Sequence, residues 1–168
     1  MKYLVFSDLH GSLKGLEYLQ AAINAERPDV VLCLGDTLYG AFDSSAAAVA
    51  KYLSNCPVTI LGVRGNCDYY NDEKAVGFAL PEEQFLFFKG HRLILRHVPY
   101  FRDVRPGDIA MYGHTHVKSL YEENGVIYLN PGSIGKARDE GESYAIIEPG
   151  RIVLKRAEDR TEISSLAI

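Results

Sequence analysis

The sequence predicts an α/β fold: one domain with two β-sheets and helices on the outside. Three observations predict it. Strands and helices alternate through residue 63, the remainder reads as strands and hairpins, and 168 residues are enough for one stable core without staples.

The elements follow in order. Tyr3-Leu4-Val5-Phe6 is a short apolar run, read as a buried strand. Leu13 to Ala25 places Leu16, Leu19, Ala22 and Ile23 at helical spacing, giving a helix with one core face that Arg27-Pro28 stops. Val30 to Leu34 is a second buried strand. Ser44 to Leu53 is an Ala-rich helix capped by Asp43 or Ser44. Val58 to Val63 is a third strand, and this alternation implies parallel pairing with right-handed crossovers. Glu83 to Phe88 and Arg92 to His97 are strands about a Lys89-Gly90 turn, followed by Ile109 to Tyr112. Leu120 to Asn130 is a hairpin about Asn124-Gly125, a strong turn signal. Tyr144 to Glu148 and Ile152 to Lys155 flank Pro149-Gly150 as another hairpin. No repeat or linker divides residues 1–168, so a single domain is expected.

Composition narrows the function classes. With 47% hydrophobic and 24% charged residues the chain is an ordinary globular protein. A net charge of −4 argues against a nucleic-acid backbone as the bulk partner, although bound cations can reverse the local sign and admit a small anionic substrate. Met1 to Phe6 is too short for a signal peptide, and no run approaches the roughly 18 apolar residues of a membrane span. Three cysteines, an odd number at unrelated spacings, make no disulfide framework. Cytoplasmic location is the expectation. The aromatic run Phe85-Leu86-Phe87-Phe88 is either a buried strand or a face for a second copy of the chain.

Metal-capable residues fall at strand ends. Asp8-Leu9-His10 follows the first strand, Gly35-Asp36 the second and Gly65-Asn66 the third. His97 ends a later strand, and Gly113-His114-Thr115-His116 follows the next. Ligands of open α/β sheets gather at the carboxyl ends of strands. Glycines at 35, 65 and 113 suit tight turns and close backbone approach. Any one of these histidines alone is more readily a core or surface residue. The joint pattern carries the weight. Carboxylate oxygen with imidazole nitrogen favours manganese, iron, cobalt or zinc, and no thiolate site is expected. Two such ions about 3.5–4 Å apart, bridged by a carboxylate and a water, give a hydroxide that attacks phosphorus in line.

The ordered set Asp8-x-His10, Gly35-Asp36, Gly65-Asn66, His97 and Gly113-His114-x-His116 resembles the calcineurin-like metallophosphoesterase superfamily. Gly65-Asn66-Cys67-Asp68 and Asn130-Pro131-Gly132-Ser133 look most like its small YfcE-type phosphodiesterases. The resemblance implies a four-layer αββα sandwich, two mixed β-sheets flanked by helices. It implies that Asp8, His10, Asp36 and His116 hold one metal and that Asp36, Asn66, His97 and His114 hold the other, Asp36 bridging. It further implies phosphodiester hydrolysis supported by manganese, with nickel, cobalt, zinc or iron as substitutes. Phosphomonoester hydrolysis and a non-catalytic, retromer-type scaffold are the alternatives.

Two departures bear on mechanism. Many members of the superfamily carry His after the Gly-Asn pair and Asp three residues after the bridging Asp; here these are Cys67 and Tyr39. The usual histidine acid is therefore absent, and Cys67 is either a phosphate-side group or a small residue packed behind Asn66. Tyr39 and Phe42 are candidates for one wall of the cleft. Arg64, Arg102, Lys136 and Arg138 are weaker candidates for phosphate contact. Asn130 to Ser133 is expected to be a supporting turn and His91 exposed and uninvolved; Asp68 either orients a neighbouring group or the substrate or, by default, is a solvated loop residue.

Overall fold

The structure, a computed structural model, describes residues 1–39 and 44–168. The expected cap Asp43 and the expected cleft residue Phe42 lie outside the described residues. The first half alternates β1 (Tyr3–Phe6), α1 (Leu13–Glu26), β2 (Val30–Cys33), α2 (Ser44–Ser54), β3 (Thr59–Gly62) and α3 (Tyr70–Val76). The second half is β4 (Glu83–Phe88), β5 (His91–Arg96), β6 (Ile109–Met111), β7 (Ser119–Glu123), β8 (Val126–Asn130), β9 (Ser143–Glu148), β10 (Arg151–Arg156) and β11 (Glu162–Ala167).

Two mixed sheets result. The six-stranded sheet runs β11-β10-β9-β1-β2-β3, with β1, β2 and β3 parallel and the β9 side antiparallel. The five-stranded sheet runs β4-β5-β6-β8-β7, parallel in its centre and antiparallel at both edges. Alternation along β1 sends Leu4 and Phe6 toward the helices and Tyr3 and Val5 toward the second sheet. Each face is continuous with a core cluster. One joins Leu16, Leu19 and Ile23 of α1 to Val49 and Leu53 of α2. The other packs Leu32 and Ile147 against Leu93, Leu95 and Leu129 between the sheets. The outward side of the five-stranded sheet carries Tyr112 and Tyr128, with Phe101 set at 6.2 Å from each ring, so the 98–108 segment lies over it. Among the described residues no helix is long and apolar enough to cross a membrane.

Local chemistry explains the boundaries. Ser12 caps α1 by accepting the Gly15 N–H at 3.0 Å, and Arg27 ends it in a left-handed conformation. Two elements differ from expectation. Helix α3 has no apolar stripe to betray it; Asp72 caps it by accepting the Tyr69 N–H at 2.9 Å. Strand β11 is almost wholly exposed and is held by its antiparallel register with β10. On the edge strand β4, Phe88 is buried while Phe87 is 78% exposed, so the aromatic run is neither fully core nor fully surface.

Candidate metal centre

Cross-loop hydrogen bonds bring the strand ends together. The N–H groups of Asp8, His10 and Gly11 donate to the carbonyls of Gly35, Asp36 and Thr37 at 3.0, 2.9 and 2.9 Å. The loops after β1 and β2 are thus stitched edge to edge. Gly113 N–H donates to His97 O at 3.0 Å, joining the loops after β5 and β6. The chain closes in tightly enough to forbid side chains. A Cβ on Gly65 would stand 2.0 Å from Asp36 Oδ1, and one on Gly113 would stand 1.9 Å from Ser7 Oγ.

Five of the seven sequence-predicted residues sit in the left-handed region: Asp8 at φ 54°, His10 at 48°, Asp36 at 53°, His114 at 67° and His116 at 61°. Non-glycine residues rarely adopt it, and such strain concentrates at functional sites. Nothing in the sequence signalled this.

The structure brings all seven side chains together. Asp8, His10, Asp36 and His116 each offer a ligand atom, and these atoms lie within 4.8 Å of one another. His116 Nε2 is 3.2 Å from Asp8 Oδ1, and His10 Nε2 is 3.6 Å from Asp36 Oδ2. A second group meets at the same aspartate. His97 Nε2 lies 3.4 Å from Asp36 Oδ2 and 3.0 Å from Asn66 Oδ1, and His114 Nδ1 lies 2.7 Å from that same Oδ1. Asp8, Asp36, His97 and His116 are buried, whereas Asn66 and His114 are exposed, so the centre opens on their side.

These groups fit divalent cations. His97 Nδ1 donates to Leu34 O at 2.7 Å and His116 Nδ1 to Lys136 O at 2.6 Å. Each bond fixes the tautomer and leaves Nε2 of the neutral ring as a lone pair. Those lone pairs face acceptors: Asn66 and Asp36 for His97, Asp8 for His116. A proton or a cation must lie between. Asp8 Oδ1 and His10 Nδ1 are buried and make no hydrogen bond among the described residues. Burial pushes the Asp8 carboxyl above its ordinary range and His10 below its own. Burial opposes ionisation of Asp36 too, but His97 and the Cys67 N–H outweigh it and bring Asp36 to about 2. Burial lowers His97 and the Asp36 carboxylate more than restores it, so the ring sits above its ordinary value.

One supporting residue overturns its default sequence reading. Asp68, expected in solvent, is 7% exposed and accepts four hydrogen bonds. Its Oδ2 takes the Asp36 and Gly65 N–H groups, and its Oδ1 takes the Thr37 N–H and hydroxyl, all at 2.8 Å. It clamps the loop after β2 to the loop after β3. Its spacing from Asn66 was the only available signal. The Asn130 to Ser133 turn supports the site as expected. Asn130 Nδ2 donates to Gly113 O at 2.9 Å, and Ser133 Oγ donates to Asp8 O at 2.7 Å. His91 is half-buried rather than exposed, its Nδ1 2.8 Å from Gly107 O, at the start of β5 and outside the cluster.

A cavity of about 240 Å³ lies over the cluster, with Tyr39, Cys67, Lys136 and Arg138 among its walls. Tyr39 touches His10 edge-on at 5.9 Å and carries Lys136 Nζ at 5.9 Å from its ring centre. The Cys67 N–H donates to Asp36 Oδ1 at 2.8 Å, and burial together with Asp36 pushes its thiol up to about 11. Arg64 lines a neighbouring cavity and pairs with Glu73 at 3.0 Å; Arg102 lines another, farther one.

Residues 1–151 match the calcineurin-like phosphoesterase superfamily domain. Over 182 aligned positions, covering 100% of this chain and 98% of its relative, the sequence is 28% identical to phosphodiesterase YfcE of Escherichia coli K12. The solved E. coli YfcE structure, described as that of a phosphoesterase, superposes with a TM-score of 0.91 at 25% identity, all of each chain being covered. Vacuolar protein sorting 29 of Cryptosporidium parvum shares the fold at a TM-score of 0.68 and 21% identity, over 99% of this chain and 98% of that one.

Proposed function

The chain belongs to the calcineurin-like phosphoesterase superfamily, and from that premise we propose that it hydrolyses phosphodiesters with two divalent cations as cofactors. Asp8, His10, Asp36 and His116 hold one cation, and Asp36, Asn66, His97 and His114 the other. The observation that carries this reading is the sharing of Asp36, whose Oδ2 stands 3.6 Å from His10 Nε2 and 3.4 Å from His97 Nε2. When bound, the pair acidifies a water to ionise near neutral pH and offsets charge on the phosphoryl oxygens. Manganese is the metal we expect, with nickel, cobalt, zinc or iron compatible with the same mixed oxygen and nitrogen donors.

The protein's own groups hold this arrangement rigid. Leu34 O and Lys136 O orient His97 and His116, the Cys67 N–H fixes Asp36 Oδ1, and Asp68 fixes the backbone that carries Asp36. No histidine follows Asn66, so a leaving group departs without a strong protein acid. Diesters of weakly basic alcohols react fastest. Cys67 lines the same cavity, which supports reading it as a contact for the phosphoryl group. Three free cysteines suit a reducing compartment, hence the cytoplasm. A second copy of the chain on the exposed Phe85–Phe87 edge is part of this reading, and sedimentation velocity checks it.

Purified protein with manganese should hydrolyse bis(p-nitrophenyl) phosphate, and chelator should abolish the signal. Faster turnover of p-nitrophenyl phosphate would make it a phosphomonoesterase instead. No hydrolysis with manganese, nickel, cobalt or zinc would move the reading to a non-catalytic scaffold of the kind whose fold it shares.

A further inference from the structure

The cavity over the metal centre does not end at the cluster. Asn66 belongs both to its wall and to the wall of an adjoining cavity of about 150 Å³, which Arg64, Arg96 and Val98 also line. Arg96 belongs in turn to a third cavity of about 530 Å³, walled by Tyr100 and Arg102. Shared walls therefore lead from the candidate ligands out along β5 and the segment after it.

The lining has a definite chemistry. Arg96 donates to Tyr100 O and stands 3.7 Å from Glu83 Oε1, engaging at most two of its five N–H groups. Arg102 has no carboxylate partner among the described residues; its guanidinium lies 5.2 Å from the Tyr100 ring centre. Tyr100 is 58% exposed, so its ring is open to a ligand. The cavity of about 530 Å³ is lined by three arginines and by Glu83 and Asp103. Arg92 is taken up by Asp108 at 2.5 Å, so the free donors are those of Arg96 and Arg102, which suffice for one further anionic group and not for a polyanion. An open aromatic ring beside guanidinium groups suits a planar, π-bonded ligand.

We propose that these joined cavities form a second subsite that takes one arm of the substrate. A planar base lies against Tyr100, and a second phosphate meets Arg96 and Arg102. The substrate is then a nucleotide-bearing phosphodiester rather than a simple aryl or alkyl one. This rests on the phosphodiesterase reading for calling the ligand a substrate, so binding and turnover are measured separately.

The test is calorimetric titration of manganese-loaded protein with adenosine 3′,5′-bisphosphate and with AMP. The bisphosphate should bind at least tenfold more tightly. Arg102→Gln should remove most of that preference, and Tyr100→Ala should weaken both ligands at least fivefold. Both residues are exposed, so the substitutions leave the core intact. A preference below threefold, or one that survives both substitutions, overturns the subsite. Turnover of bis(p-nitrophenyl) phosphate in the same preparation separates the two readings. Turnover without the preference refutes the subsite alone, whereas the preference without turnover refutes the hydrolytic reading and supports the subsite.

Discussion

Asp68→Asn separates a clamp from a bystander. Each Asp68 oxygen accepts two hydrogen bonds at 2.8 Å, so replacing either oxygen by NH₂ turns that amide toward two donors. Hydrogen bonds to a charged acceptor are worth about 1.5–3 kcal/mol each, so losing two costs about 3–6 kcal/mol. A domain of this size carries roughly 8–25 kcal/mol of stability at about 0.05–0.15 kcal/mol per residue, so the variant should still fold. Its melting temperature should drop on the order of 10 °C, at about 2–4 °C per kcal/mol. The lost bonds belong either to the Asp36 and Gly65 N–H groups or to the N–H and hydroxyl of Thr37 beside Asp36, so bound metal should fall as well. Differential scanning calorimetry and elemental analysis measure the two effects. A melting point within about 2 °C of wild type, with two metal equivalents retained, would refute the clamp.

Three further predictions follow from the same geometry. Asp36→Asn should lower metal occupancy at both positions, because one carboxylate serves both groups; two full equivalents by elemental analysis would refute the sharing. Glu26 is held below the usual carboxylate range, burial being outweighed by Lys155 at 2.6 Å and Lys2 at 2.8 Å, with Tyr144 adding a third bond. Its stabilisation is therefore full above the unfolded glutamate value of about 4.3 and is lost as pH falls through the lower folded value. Glu26→Gln should cost about 2–4 kcal/mol at pH 7 and flatten the acid limb of the melting-temperature profile; an unchanged limb would refute the assignment. Cys67→His should raise turnover of diphenyl phosphate relative to bis(p-nitrophenyl) phosphate. The gain should stay below the 10²–10⁴-fold typical of general acids, because Tyr39 cannot orient the new ring as Asp would, and no change in the ratio would mean that Cys67 does not mark the missing acid.

The strands and their ligand-bearing ends were legible because each strand is an apolar run cut short by a polar pair such as Gly35-Asp36. That pattern is local. Asp68 was not legible, because its four partners belong to loops that meet only after the sheet forms. Helix α3, with the sequence YNDEKAV, has too few apolar residues to show a period. Strand β11 spaces Ile163 and Leu166 three apart, which breaks strand alternation, and its register with β10 supplies what the pattern lacks. The left-handed backbone at Asp8, His10, Asp36, His114 and His116 is imposed by stitched loops and by glycines packed at near-contact distance.

That strain makes the centre costly without cations. Left-handed non-glycine residues cost about 1–2 kcal/mol each, although Asp and His tolerate the region better than most. The Asp8 and Asp36 carboxylates are both buried at the centre, where burial and, to a smaller extent, Asp36 disfavour charge on Asp8. A cation held by Asp8 and Asp36 would relieve that repulsion and take up the lone pair of His116, and a second would take up that of His97. Binding to the folded state alone then adds about 2.7 kcal/mol when free metal is 100 times its dissociation constant. At 2–4 °C per kcal/mol, manganese should raise the melting temperature of chelator-treated protein by about 5–11 °C. Magnesium, which favours all-oxygen sites, should do less at equal concentration. Asp36→Asn should forfeit most of the manganese gain, because the substitution withdraws the shared carboxylate while leaving both histidine frames in place. A melting temperature indifferent to manganese would show that these loops are held by their own hydrogen bonds alone.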